Sequence, residues 1–93
     1  MKAELLIDER HVLDAEIFAE IVVWRSPRPV PGSAHRFKYR LALVVDQVCV
    51  LRYDNEAGKG DHRHVGGAEE PYDFTGPETL LADFWSDVEI RRR

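Results

Sequence analysis

The most regular alternation in the chain runs over residues 36–45, where Phe37, Tyr39, Leu41, Leu43 and Val45 stand against Arg36, Lys38, Arg40 and Ala42. A period of two puts the two sets on opposite faces of an extended backbone, so this stretch predicts a half-buried β-strand. Asp46-Gln47 separates it from a second apolar run over 48–53. A two-residue spacer between such runs predicts a tight hairpin, with Arg40 or Leu41 opposite Arg52 or Tyr53 and Gln47 strained by a positive φ. Residues 13–24 alternate in the same way: Ala15, Ile17, Ala19, Ile21 and Val23 make one face, and Glu16, Phe18 and Glu20 the other. Alanine and glutamate favour helix here, but the alternation and the β-branched residues favour a strand. Ala3 with Leu5-Leu6-Ile7 predicts a first strand over 2–8, followed by a turn at Asp8-Glu9-Arg10-His11.

The period changes near the end of the chain. Leu80, Leu81, Phe84, Trp85 and Val88 recur at helical spacing, with Asp83, Asp87 and Glu89 outside the stripe. Thr75 and Glu78 read as a capping box with Pro77 in the first turn, and Arg91-Arg92-Arg93 suits the negative end of the helix dipole. The proline-rich stretch from Ser26 to Ser33 is a loop, because proline lacks a donor and fixes φ. Phe74, after an acidic connector, reads as a plug at the edge of the core. The pattern predicts one α+β domain over residues 1–93: a small antiparallel sheet of about four strands with the C-terminal helix packed on one face.

Charge changes this picture locally. The net charge is −4, yet residues 25–63 hold eight Lys/Arg against four Asp/Glu, between two acidic flanks. A positive middle can focus an anionic ligand despite the overall balance. Cys49 is the one cysteine, so it has no internal disulfide partner, and its neighbours Val48 and Val50 suggest a buried thiol in a reducing compartment. No apolar run reaches membrane-spanning length, and Met1-Lys2-Ala3-Glu4 does not open a signal peptide. A cytoplasmic protein without a membrane partner is expected.

The candidate chemistry lies in residues 52–67, which hold three acids, three cations, a histidine pair and four glycines. In an extended segment His62 and His64 point the same way, roughly 6.5–7 Å apart. That spacing brackets one phosphodiester. One imidazole could accept the proton of an RNA 2′-hydroxyl while the other protonates the leaving 5′-oxygen. Lys59 or Arg63, with backbone N–H groups around Gly58-Lys59-Gly60, would face the growing negative charge, and Asp61 would orient a histidine. This scheme uses no metal and no other cofactor. Lys38, Arg40 and Arg52 make a basic stripe leading to the segment. Tyr53, Asp54 and Asn55 complete the candidate substrate-binding set; Tyr53, Tyr39 and Trp24 could each stack a base if they face the basic surface, with Tyr53 a better stacking ring than the core-facing Tyr39.

Other readings use the same residues. Asp61, His62 and His64 could belong to the centre of a metal-dependent hydrolase or nuclease, with Asp54, His35 or His11 as further ligands. The 54–67 loop could instead grip a protein or nucleic-acid partner without turnover, or its polar groups could only satisfy loop backbone. Gly58-Lys59-Gly60 lacks the spacing of a phosphate-binding P-loop, which argues against nucleoside triphosphate chemistry.

Phe37-Lys38-Tyr39-Arg40-Leu41, the segment Val50-Leu51-Arg52-Tyr53-Asp54-Asn55-Glu56, the run Gly58-Lys59-Gly60-Asp61-His62-Arg63-His64, and Pro77-Glu78 with Leu80-Leu81 before Asp83-Phe84 together resemble the TumE-like toxins of prokaryotic toxin–antitoxin pairs. The likeness spans nearly the whole chain and is most specific in the Tyr-Asp-Asn to His-Arg-His stretch. It implies a toxin encoded beside a helix-turn-helix antitoxin, similar to the RelE and HigB toxins that cut messenger RNA without a metal, free or on the ribosome. The acidic balance departs from the strongly basic character of RelE-type toxins. An exposed edge at residues 3–7 could pair two copies into a homodimer.

Overall fold

A computed structural model describes residues 2–56 and 58–91. Six strands follow one another in a single antiparallel sheet: Glu4–Asp14 (β1), Ile17–Arg25 (β2), Phe37–Val45 (β3), Val48–Asp54 (β4), His62–Val65 (β5) and Ala68–Pro71 (β6). Helix Pro77–Arg91 (α1) lies across one face, over β3 and β4. The α+β class and the helix-on-sheet packing are as the pattern predicts. The strand number is six rather than four.

Strands β2 and β3 follow the alternation. Tyr39, Leu41 and Leu43 of β3 are buried with Ala19, Ile21 and Val23 of β2, and Leu80, Phe84 and Val88 of α1 close over them. Burying each large side chain contributes about 1.5–3 kcal/mol. Asp46 and Gln47 form the predicted two-residue loop with φ of 50° and 69°, and Leu41 pairs with Tyr53.

The departures have local causes. β1 runs straight through Asp8-Glu9-Arg10-His11, pairing Asp8 with Val22 and His11 with Ala19, and the turn falls at Ala15-Glu16. On an edge strand most of the surface stays wet, so polar residues are tolerated there and leave no strand signal. In β4, Leu51 pairs with Leu43 but Cys49 with Val44, so Val50 bulges. A bulge reverses the alternation beyond it. Cys49, expected in the core, is therefore exposed. At the helix start the carbonyl of Gly76 accepts the Leu80 N–H at 3.0 Å, which puts Gly76 rather than Thr75 at the cap. Arg91 ends the helix, while Arg92 and Arg93 lie outside the described residues.

The proline loop folds back onto the segment that carries the candidate chemistry. Val30 is buried, and its N–H and carbonyl meet His35 and Ser33 at 2.8 and 2.9 Å. Gly32 sits at φ 83°, and a Cβ there would stand 2.6 Å from Gly60 N and closer still to Gly58 O. Gly32→Ala is therefore expected to cost about 1–3 kcal/mol in backbone strain alone. Urea denaturation monitored by circular dichroism would check it, and an unchanged midpoint would mean that the two loops move apart freely.

Candidate functional site

Alternation along β5 decides the site. Arg52 of β4 pairs with His64 and Asp54 with His62, whereas Tyr53 pairs with Arg63. Paired residues share a face, so His62 and His64 stand with Arg52, Asp54, Arg40 and Lys38 on the face away from the helix. Arg63 and Tyr53 stand on the helix face. In β6, Glu69 pairs with His64 and joins the bare face.

On that face the two imidazole rings lie 6.5 Å apart, at an interplanar angle of 46°. Arg52 Nη2 donates to His64 Nε2 at 3.1 Å. A guanidinium has no acceptor, so the His64 proton sits on Nδ1, which is 3.9 Å from Glu69 Oε2. His62 Nδ1 donates to the Gly60 carbonyl at 3.0 Å, which leaves its Nε2 facing Glu69 Oε1 at 3.5 Å. Glu69 thus lies against both rings. Arg52 Nε is 2.7 Å from Asp54 Oδ2, a charge contact without the alignment of a hydrogen bond. A cleft of about 180 Å³, lined by Cys49, Leu51, Arg52, His64 and Gly66, opens beside His64.

The other predicted site residues are placed elsewhere. Asp61 Oδ1 accepts from His35 Nε2 at 2.8 Å and from the Tyr39 hydroxyl at 2.7 Å, so it orients His35 rather than His62 or His64. His35 in turn stacks on Phe74 at 3.8 Å, the plug expected at the core edge. Asn55 is buried: its Oδ1 accepts the Tyr39 N–H at 3.0 Å and its Nδ2 donates to the Phe37 carbonyl at 2.7 Å. It ties the loop to β3 and offers no group to solvent. Tyr53 is buried under the helix and donates its hydroxyl proton to Asp87, leaving no ring face for a base. Arg63 Nε donates to Asp87 at 2.7 Å, and its Nη1 meets Glu70. Lys59 is exposed, with no ion pair among the described residues. Glu69 was not anticipated; only its register against His64 brings it to the site. Among the described residues no group of three or more His, Cys, Asp or Glu comes together with metal-binding geometry.

Beneath the sheet, burial and then the hydrogen bonds to Asp61, Asp87 and Asp83 push the hydroxyls of Tyr39, Tyr53 and Tyr72 well above the ordinary phenol range. A raised folded value keeps these protons on the native state after the unfolded chain has begun to lose them. Their stabilising contribution is complete below about pH 10 and is lost as pH rises above it. Stability is thus expected to fall above pH 10 more steeply than one tyrosine would allow. Denaturation midpoints of the protein and of Tyr72→Phe across that range would check it, the variant showing the shallower slope.

Taken together, these features define a small α+β protein whose one sheet face is sealed by a helix and whose other face carries paired imidazoles. The family described as Toxin TumE matches residues 2–92, and the chain belongs to that family. It is thus the toxin component of a toxin–antitoxin pair, and an antitoxin is its implied partner. No curated protein and no solved structure matches it. Among the described residues no helix is long and apolar enough to cross a membrane.

Proposed function

We propose that this toxin is a cytoplasmic, metal-independent endoribonuclease whose acid and base are His62 and His64. The observation that carries the reading is the 6.5 Å separation of the two rings on a bare sheet face, with Arg52 against one of them. His64 Nε2, whose lone pair Arg52 holds available, takes the proton of a 2′-hydroxyl as Arg52 moves onto a phosphoryl oxygen. The 2′-oxygen attacks phosphorus. The 5′-oxygen leaves with a proton from His62 Nε2, which lies 3.5 Å from Glu69 Oε1. The products are a 2′,3′-cyclic phosphate and a free 5′-hydroxyl, and the next proton exchange with water restores both rings. Lys38 and Arg40, on the same face, supply positive charge along the approach. A helix-turn-helix antitoxin, the type the family resemblance implies, neutralises the toxin.

The test is expression in a bacterial host beside His62→Ala and His64→Ala, followed by incubation of the purified proteins with RNA in chelator. Growth arrest and cyclic-phosphate ends that depend on both histidines support the proposal. Arrest that survives in both folded variants sinks it. Cleavage abolished by chelator transfers the chemistry to the metal-dependent reading, and tight binding without turnover transfers it to the binding module.

A further inference from the structure

The bare sheet face continues well beyond the histidines. Lys38 pairs with Trp24 of β2, so Trp24 lies on that face, partly buried, with Leu5 of β1 beside it. Trp24 and Lys38 line a cleft of about 350 Å³ with Ala3, Ser26 and Glu56. A second cleft of about 390 Å³, lined by Lys2, Glu4, Arg25, Ser26, Pro27 and Arg36, shares only Ser26 with it and belongs to the other face, since Glu4 pairs with Arg25 and Arg25 with Phe37. Lys38 thus stands beside the indole, with Arg40 two residues on along the same face of β3 and Glu56 as the acid.

The pairing of those cations is the second observation. Among the described residues the ion pairs go to Arg52, Arg63, Arg91 and histidines, and neither Lys38 nor Arg40 has one within 4.0 Å. Two cations with no acid against them, both on the face that carries the histidines, are left to an external anion. An aromatic ring beside cations on an open sheet face suits a strand whose bases are free to stack; a duplex hides its base faces.

We infer that Trp24 is the base-stacking platform, and Lys38 and Arg40 the phosphate contacts, of a subsite that carries single-stranded RNA across the bare face toward His62 and His64. The inference rests on the ribonuclease reading above and replaces Tyr53 by Trp24 as the stacking ring. Trp24 is three strands from β5, about 14 Å at sheet spacing, so the subsite holds nucleotides beyond the scissile one.

The experiment uses the full chain and a short fluorescent 2′-O-methyl oligoribonucleotide, which lacks the hydroxyl needed for cleavage. Affinity is read by anisotropy for the protein, Trp24→Ala and Lys38→Glu, against single-stranded and duplex probes across a salt series. The expected result is about a tenfold loss for Trp24→Ala, the size of one lost stacking contact. Lys38→Glu should also weaken binding, with a shallower salt dependence, and the single strand should be preferred. Lys38 is exposed, so its variant remains informative if Trp24→Ala does not fold. Wild-type affinity in both folded variants, or equal affinity for the duplex, overturns the inference while leaving the ribonuclease reading standing. No binding of any RNA by a protein that still arrests growth overturns both.

Discussion

His62→Ala is expected to lower the rate of RNA cleavage by roughly 10²–10⁴-fold while leaving the protein folded, and His64→Ala to do the same. Both rings stand on the bare face, outside the hydrophobic core, so their removal opens no cavity under the helix. The loss is thus chemical rather than structural, which thermal melts of the two variants would establish. A proton-donating and a proton-accepting imidazole acting in one step give a rate that rises and then falls with pH, and each single variant should flatten one limb. Glu69→Gln separates their roles further. It keeps the shape of the side chain but removes the charge beside both rings, so it should lower the rate by less than either histidine change. If all three variants cleave as the native chain does, the ring pair is not the acid–base couple.

How much of this could be read beforehand differs by element, for physical reasons. The β3–β4 hairpin was legible because one face of each strand is buried and the other wet, so Leu41 opposite Tyr53 follows from alternation and the two-residue loop. β5 and β6, spelled His-Arg-His-Val and Ala-Glu-Glu-Pro, bury no apolar stripe. They are strands because β4 templates them, and that is tertiary information. Cys49 fell on the unexpected side because a single bulge at Val50 inverts the pattern. The histidine pair was legible at nearly its observed spacing, because two residues apart in a strand is a fixed distance. The same rule carried one residue to either side would have turned Asp61 and Arg63 away from the pair. Glu69 needed the β5–β6 register, and no local motif encodes it.

Arg63 shows what the opposite face does. Asp87 accepts hydrogen bonds from Arg63 Nε and from the Tyr53 hydroxyl, with Arg91 Nη1 at 3.9 Å, and so locks the last turns of α1 onto β4 and β5. Burial pushes the Asp87 carboxyl up, but the hydrogen bonds from Arg63 and Tyr53 and the charges of Arg63 and Arg91 outweigh it and hold it below its ordinary value. The Asp87 and Arg63 side chains are 15% and 21% exposed, so solvent screens this pair little. Asp87→Ala would strand the guanidinium and the tyrosine hydroxyl together, and is expected to cost about 3 kcal/mol. Asp87→Asn should cost less, since its amide oxygen still accepts one of the two bonds. Because the folded value is depressed, the carboxylate's contribution is complete above the unfolded value near pH 3.8 and is lost as pH falls through the folded one. Part of the acid sensitivity of the native protein should therefore disappear in Asp87→Asn. At a temperature where Asp87→Ala remains folded, its cleavage rate should match the native chain, because the carboxylate acts on the helix and not on His62 or His64. A rate that collapses while the fold persists would move Arg63 back into the chemistry, reaching RNA from the sheet edge rather than holding the helix.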